Sequence, residues 1–221
     1  MMRFLLILMG IVSGLLAARA GQAQECMPDG RAKNPGYERY HADDRRDEAL
    51  RIRRHERLVS REGDQLRLVL DGGGTLALVD CPYGADGRWY LFERYDQPGR
   101  FHVVRTQAPE DFSYTLVMMP TGRTYTVHGS PVWAPEKTRF LTIACTLEPP
   151  RATLLIQAPA GEALATESEV PLPCETESCS ARWDHESWIS VACTPRDASM
   201  PKGTEFVLMR GSDGVWNRFG R

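Results

Sequence analysis

The chain has 221 residues, with 27 lysines and arginines against 29 aspartates and glutamates, for a net charge of −2. That balance gives no electrostatic reason to expect nucleic acid or an anionic membrane surface as partner. Arginine outnumbers lysine 24 to 3, but the arginines are scattered among carboxylates, so the bias reads as genome base composition rather than as a binding footprint.

Residues 1–23 read as an export signal. Arg3 supplies the positive charge, Phe4 to Ala17 is apolar apart from Gly10, Ser13 and Gly14, and Ala18-Arg19-Ala20 gives the small-x-small cleavage pattern. Cleavage after Ala23 fits nearly as well. The apolar run falls short of the roughly 20 residues a spanning helix needs, which argues against a membrane anchor. Gln24-Glu25 before Cys26 is too polar for a lipid-attachment box. The expectation is an exported, periplasmic or secreted bacterial protein with no membrane span after cleavage. About 200 mature residues suit one domain with a substantial core.

Residues 24–62 are polar and charge-dense, with Asp43-Asp44-Arg45-Arg46-Asp47-Glu48 followed by Arg51, Arg53, Arg54, Glu56 and Arg57. Ala49 to Leu58 has the charge spacing of a short helix. A solvated, partly ordered leader packed on the main domain is the preferred reading of this stretch. His41 with Asp43 and Asp44 suggests a metal site only weakly beside that of a solvated charge cluster.

Residues 63–221 read as one all-β domain. Leu66, Leu68 and Leu70 alternate with Arg67 and Val69, Asp71-Gly72-Gly73-Gly74 turns, and Leu76 to Val79 runs back. A phosphate-binding loop would need a following helix and a Lys-Ser/Thr pair, and Thr75-Leu76-Ala77-Leu78 is strand-like instead. Further strands are predicted at Trp89–Tyr95, Phe101–Arg105, Tyr114–Met118, Thr124–Val127, Phe140–Cys145, Thr153–Gln157, Trp188–Cys193 and Glu205–Met209. The connections are short and carry Pro, Gly or Asp, and no helical periodicity is sustained after residue 60. The pattern is antiparallel.

Six cysteines lie beyond the signal: Cys26, Cys81, Cys145, Cys174, Cys179 and Cys193. An even count in an oxidising compartment favours structural disulfides. The spacings lack the C-x-x-C of metal or redox sites. Cys174 and Cys179, enclosing four residues, are the easiest pair to bridge. No cofactor and no metal is called for.

Three apolar runs end in cysteine, at Cys81, Cys145 and Cys193, at intervals of 64 and 48 residues, the scale of a repeated β unit. The repeat is clearest late in the chain. Pro131-Val132-Trp133-Ala134-Pro135-Glu136 leads into Phe140–Cys145, then Thr153–Gln157, then Pro159-Ala160-Gly161. Ala181-Arg182-Trp183-Asp184-His185-Glu186 leads into Trp188–Cys193, then Glu205–Met209, then Ser212-Asp213-Gly214. Over residues 124–216 this resembles propeller repeats of the bacterial Tol-associated type, with their P-x-W-S-P-D-G turn, and exported bacterial proteins built from such units. Glu136-Lys137 stands where that pattern has Asp-Gly, and the second copy lacks both prolines. The resemblance implies a disulfide-stabilised, propeller-like or partial-propeller sheet array, since the β region holds at most about four blades of the usual 40–45 residues.

Trp133 and Trp183 read as packing residues in repeat register, and Glu136 and Asp184 as turn caps accepting backbone N–H groups. Carbohydrate stacking by Trp89, Trp188 or Trp216 ranks below a core role. His55-Glu56 and His185-Glu186 each lack the second histidine of a zinc-hydrolase motif, and a G-x-S-x-G elbow is absent. Asp184, His185 and Glu186 form the one catalytic long shot. Three functions follow in order: a non-enzymatic binding module for a protein or envelope component; a hydrolase of an envelope polymer using His185, Asp184 or Glu186; and an inhibitor or immunity protein against a toxin or lytic enzyme. Candidate contact loops are Pro82–Arg88, Pro109–Phe112, Leu147–Arg151 and Pro195–Gly203.

Overall fold

The computed structural model describes residue 26 and residues 32–84, 87–109, 111–145, 152–172, 178–194 and 204–220. One helix, α1 (Pro35–Arg54), precedes fifteen strands in four antiparallel sheets. Sheet I holds β1 (Val59–Glu62), β2 (Gln65–Val69) and β3 (Thr75–Val79). Sheet II holds β4 (Trp89–Asp96), β5 (Phe101–Gln107), β6 (Phe112–Met118) and β7 (Thr124–Val127). Sheet III holds β8 (Val132–Trp133), β9 (Phe140–Cys145), β10 (Ala152–Ala160) and β11 (Ala163–Pro171). Sheet IV holds β12 (Ser178–His185), β13 (Trp188–Thr194), β14 (Thr204–Arg210) and β15 (Trp216–Gly220). Every sheet is a meander in chain order, as short turn-bearing connections dictate.

The four sheets stack in sequence, and three cores bind them. Leu66 and Leu68 of sheet I meet Phe92, Val104 and Val117 of sheet II. Phe101, Val103, Leu116 and Met118 of sheet II meet Phe140 and Trp133 of sheet III. Leu141, Leu154 and Ile156 of sheet III meet Ile189, Val191, Phe206 and Leu208 of sheet IV. Because side chains alternate across a strand, Val103 and Val104 serve two different cores, and β5 is buried on both faces along Phe101–Val104. This gives the near-continuous apolar runs in the middle sheets and leaves two sheet faces, one at each end, without a neighbour.

The turns repeat with the sheets. Gly122, Gly161 and Gly214 hold the last turn of sheets II, III and IV, with φ of 68°, 62° and 82°, a conformation glycine adopts without cost. The first turns of sheets II and III close alike: Arg100 N–H donates to Gln97 C=O and Lys137 N–H to Ala134 C=O. Arg100 and Lys137 both have positive φ, 50° and 57°. Lys137 therefore occupies the glycine position of the P-D-G pattern in conformation, though not in residue type.

Three expectations change. The stretch taken as a solvated leader carries the 20-residue helix α1 in place of a short Ala49–Leu58 helix, and β1 already belongs to sheet I. The turn expected around Asp184 comes later, since β12 runs through His185 and the reversal falls at Glu186-Ser187. Strands β1, β8, β11, β12 and β15 join those expected.

α1 begins at Pro35, whose fixed φ suits a first helical position, and ends with Arg51, Arg53 and Arg54 in its last turn, favourably placed against the helix dipole. It packs beside β4, the edge strand of sheet II. Phe92 N–H donates to Glu48 Oε1 (2.7 Å) and Tyr90 N–H to Asp80 Oδ1 (2.8 Å), so two carboxylates cap the open donors of that edge. Arg61 donates to Tyr90 C=O and to Glu48 Oε1 (2.9 Å), and Arg45 bridges Glu48 (2.7 Å) and Asp80. Glu48 and Asp80 are almost wholly buried, at 1% and 2% exposure. An uncovered strand edge invites pairing with another chain; here an ionic helix face covers it. Cys26–Cys81 closes the same corner as a disulfide with Cα atoms 5.3 Å apart.

Candidate binding face

The two end faces of the stack differ. On sheet I the outer rows are Ser60, Arg67 and Ala77; Glu62, Gln65 and Val79; and Val69 with Thr75. The exposed positions are all polar and the three apolar ones are half-buried, and Arg67 donates to Gln65 Oε1 (2.7 Å) and pairs with Glu62 at 3.1 Å. A charged surface of this kind is how a repeat array ends in water.

Sheet IV ends otherwise. Its register sets three rows on the outer face: Ser180, Ala192 and Glu205; Arg182, Ser190, Val207 and Phe219; and His185, Trp188, Met209 and Asn217. Trp188 is 48% exposed and Phe219 53%. A groove of about 420 Å³ crosses this face, lined among others by Ser180, Arg182, Ser190, Glu205, Val207 and Phe219. Apolar floor, hydroxyls and one charge of each sign together suit recognition of a partner surface.

Asp184 is the extra residue where the β12–β13 register slips between Trp183 and His185, and such a bulge turns its carboxylate onto the outer face. Ser190 Oγ donates to Asp184 Oδ2 and Arg182 Nε donates to Oδ1 (2.9 Å). The Ser190 hydroxyl first, and Arg182 after it, hold the Asp184 carboxyl below its ordinary range. His185 Nδ1 instead meets Ser187 Oγ at 3.2 Å. The carboxylate thus orients an arginine and a serine on the sheet, while the imidazole sits in the turn with a hydroxyl. Asp184, His185 and Glu186 remain close in the chain, but the carboxylate–imidazole contact that would tune a general base is not the one Asp184 makes. All three are exposed.

The other singled-out residues have structural partners. Trp133 lies between Phe101 and Phe140, at centroid distances of 6.0 and 5.1 Å. Trp183 meets Trp216 edge-on and its Nε1–H donates to Val132 C=O (2.9 Å), tying sheet IV to β8. Trp89 and Trp216 are buried, at 1% and 8% exposure, which leaves Trp188 as the one of the three stacking candidates with an accessible ring. Among the described residues Glu136 and Asp184 cap no backbone N–H: Glu136 Oε1 accepts from Thr138 Oγ1 and lies 3.2 Å from Arg139 Nε, and Asp184 accepts from Ser190 and Arg182. Asp44 accepts from Arg105 Nη2 (2.8 Å), which commits it to sheet II; the His41 side chain lies outside the described residues.

Cys193 is disulfide-bonded, and the β12–β13 register sets Cys179 directly across from it. Cys174, and with it the expected Cys174–Cys179 bridge, lies outside the described residues, as does the Cys145 side chain. The loops Leu147–Arg151 and Pro195–Gly203 lie outside them too, and Pro82–Arg88 and Pro109–Phe112 do so in part.

Sequence reasoning missed the outer face of sheet IV as a unit. Its signal was the pairing of Trp188 and Phe219 with polar alternates on strands whose opposite face carries Ile189, Val191, Phe206, Leu208 and Trp216. Among the described residues no helix is long and apolar enough to cross a membrane. No protein-family model, no curated protein and no solved structure matches the chain.

Proposed function

We propose that the chain is an exported protein of the bacterial envelope, periplasmic or secreted, that works as a non-enzymatic interaction module. The signal-like residues 1–23 and the disulfide-suited cysteine set support export. The three successive four-stranded meanders, each ending in a left-handed glycine turn, support a partial-propeller array of blade-like units. The observation that carries the reading is the contrast between the ends: a charged, self-paired face on sheet I and a grooved, partly apolar face on sheet IV. The partner is a protein or another envelope component, recognised across that face.

Capture tests this reading. The mature, oxidised chain, immobilised and exposed to envelope extract, is expected to retain a stoichiometric component. An empty capture, together with turnover of an envelope polymer that disappears in His185→Ala, would replace the module by a hydrolase.

A further inference from the structure

We infer that the partner of the sheet IV outer face is a second copy of the same face, joining two chains about a two-fold axis parallel to the strands between β13 and β14. This rests on reading that face as an interaction surface. The sheets meet one another face to face, and of the two end faces that meet no sheet among the described residues, that of sheet IV is the one that exposes large apolar side chains, Trp188 and Phe219.

The rows of that face complement themselves under this operation, which lays β12 over β15 and β13 over β14. Arg182, 78% exposed as a side chain, then faces Phe219 of the second copy, a cation over an aromatic ring. Trp188 faces Met209, an aromatic–thioether contact. Ser190 faces Val207, Ala192 faces Glu205, and the Asp184–His185 end of the row faces Asn217. No charge meets its like. The alternative two-fold, in the sheet plane but across the strands, sets Arg182 against Arg182 and is disfavoured. An isologous contact of this kind closes on itself and leaves the charged sheet I face at both ends of the pair.

Size sets the expected strength. Four strands at about 4.8 Å spacing and five to seven residues long make a face of about 19 by 20 Å. Two such faces amount to about 760 Å² in projection, below the roughly 1,200 Å² of a standard specific contact and in the range of weak, transient ones. The pair is therefore a reversible dimer.

Sedimentation equilibrium of the mature, oxidised chain tests this over roughly 5 to 500 µM, the range such an area calls for. The expected result is a weight-average mass that climbs from one chain toward two. Phe219→Arg, which puts a guanidinium opposite Arg182, is expected to stay at one chain throughout. Phe219→Glu, which puts a carboxylate there, is expected to keep the dimer and to make it salt-sensitive. A wild-type chain that stays monomeric, or two variants that behave alike, overturns the inference. If the monomer still captures an envelope component and loses it in Phe219→Arg, the module reading stands alone; without capture, both fall.

Discussion

Lys137 and Arg100 occupy the same strained turn position, yet their surroundings differ. A left-handed backbone costs a non-glycine residue about 1 kcal/mol, partly offset by the larger entropy glycine loses on folding. Lys137 is exposed, so Lys137→Gly should raise stability by about 0.5 kcal/mol in chemical denaturation. Arg100 also pairs with Asp71 in the sheet I hairpin turn, so Arg100→Gly should bring no such gain. Two buried groups set the acid response. Burial pushes the Asp80 carboxyl up to about 6 despite the nearby Arg45 and Arg61 guanidiniums; its contribution is full below the ordinary 3.8 and is lost as pH rises through 6. His102, whose Nε2 lies 2.9 Å from Val69 C=O, is held below its ordinary 6.5 by burial. Its contribution is present above 6.5 and is lost as pH falls through the depressed value. On acidification below about 6 the Asp80 contribution grows while that of His102 falls, so the two oppose each other. Denaturation across that range should therefore show a steeper acid loss in Asp80→Asn than in the wild type; an unchanged slope would remove Asp80 from the pH account.

At the level of elements, α1 is fastened by charge rather than by an apolar stripe. Removing one partner from a buried ionic cluster costs about 3–5 kcal/mol. Glu48→Ala, which takes one carboxylate from Arg45 and Arg61 and the acceptor from Phe92 N–H, should lower stability by that amount, and Glu48→Gln, which keeps an acceptor for Phe92 N–H, by less. This fastening explains why the helix is hard to read: among its described side chains the buried ones are Glu48 and Tyr37, and a charge-dense stretch looks solvated until its partners Asp80 and Arg61 are brought alongside. Asn34-Pro35 at its start and three arginines at its end were the available marks. Strands buried on one or both faces, such as Phe101–Gln107 and Phe140–Cys145, were legible from their apolar runs. β11 was not, because an edge strand with the burial of Ala163–Pro171 presents no large apolar alternation. β12 is hard to read as a strand because Cys179, Ala181 and Trp183 are its marks of a packed face. Asp184, His185 and Glu186 were legible as a polar cluster, but which partners each would take depended on the bulge that separates the carboxylate from the imidazole.

The whole molecule is a stack with a locked start and an open end. Cys26–Cys81 spans 55 residues and encloses α1 and sheet I. In the chain-entropy account a loop of that length is worth about 4 kcal/mol. Cys81→Ala should therefore cost about 2–4 kcal/mol, with hydrogen exchange rising first in α1 and sheet I. At the other end, Leu208 is fully buried between sheets III and IV, so Leu208→Ala should cost about 2–5 kcal/mol without altering the charged face of sheet I. The groove on sheet IV gains meaning from this asymmetry: one end of the array is finished for water, and the other carries Trp188 and Phe219 beside Arg182 and Glu205. The most direct test compares capture by two end-face variants, Phe219→Arg on sheet IV and Arg67→Ala on sheet I, using mature oxidised chain and envelope extract supplemented with untagged chain. The account predicts that Phe219→Arg loses whatever the wild type retains, the untagged chain included, and that Arg67→Ala retains it in full. Retention that is indifferent to Phe219→Arg would contradict the assignment of function to the sheet IV face.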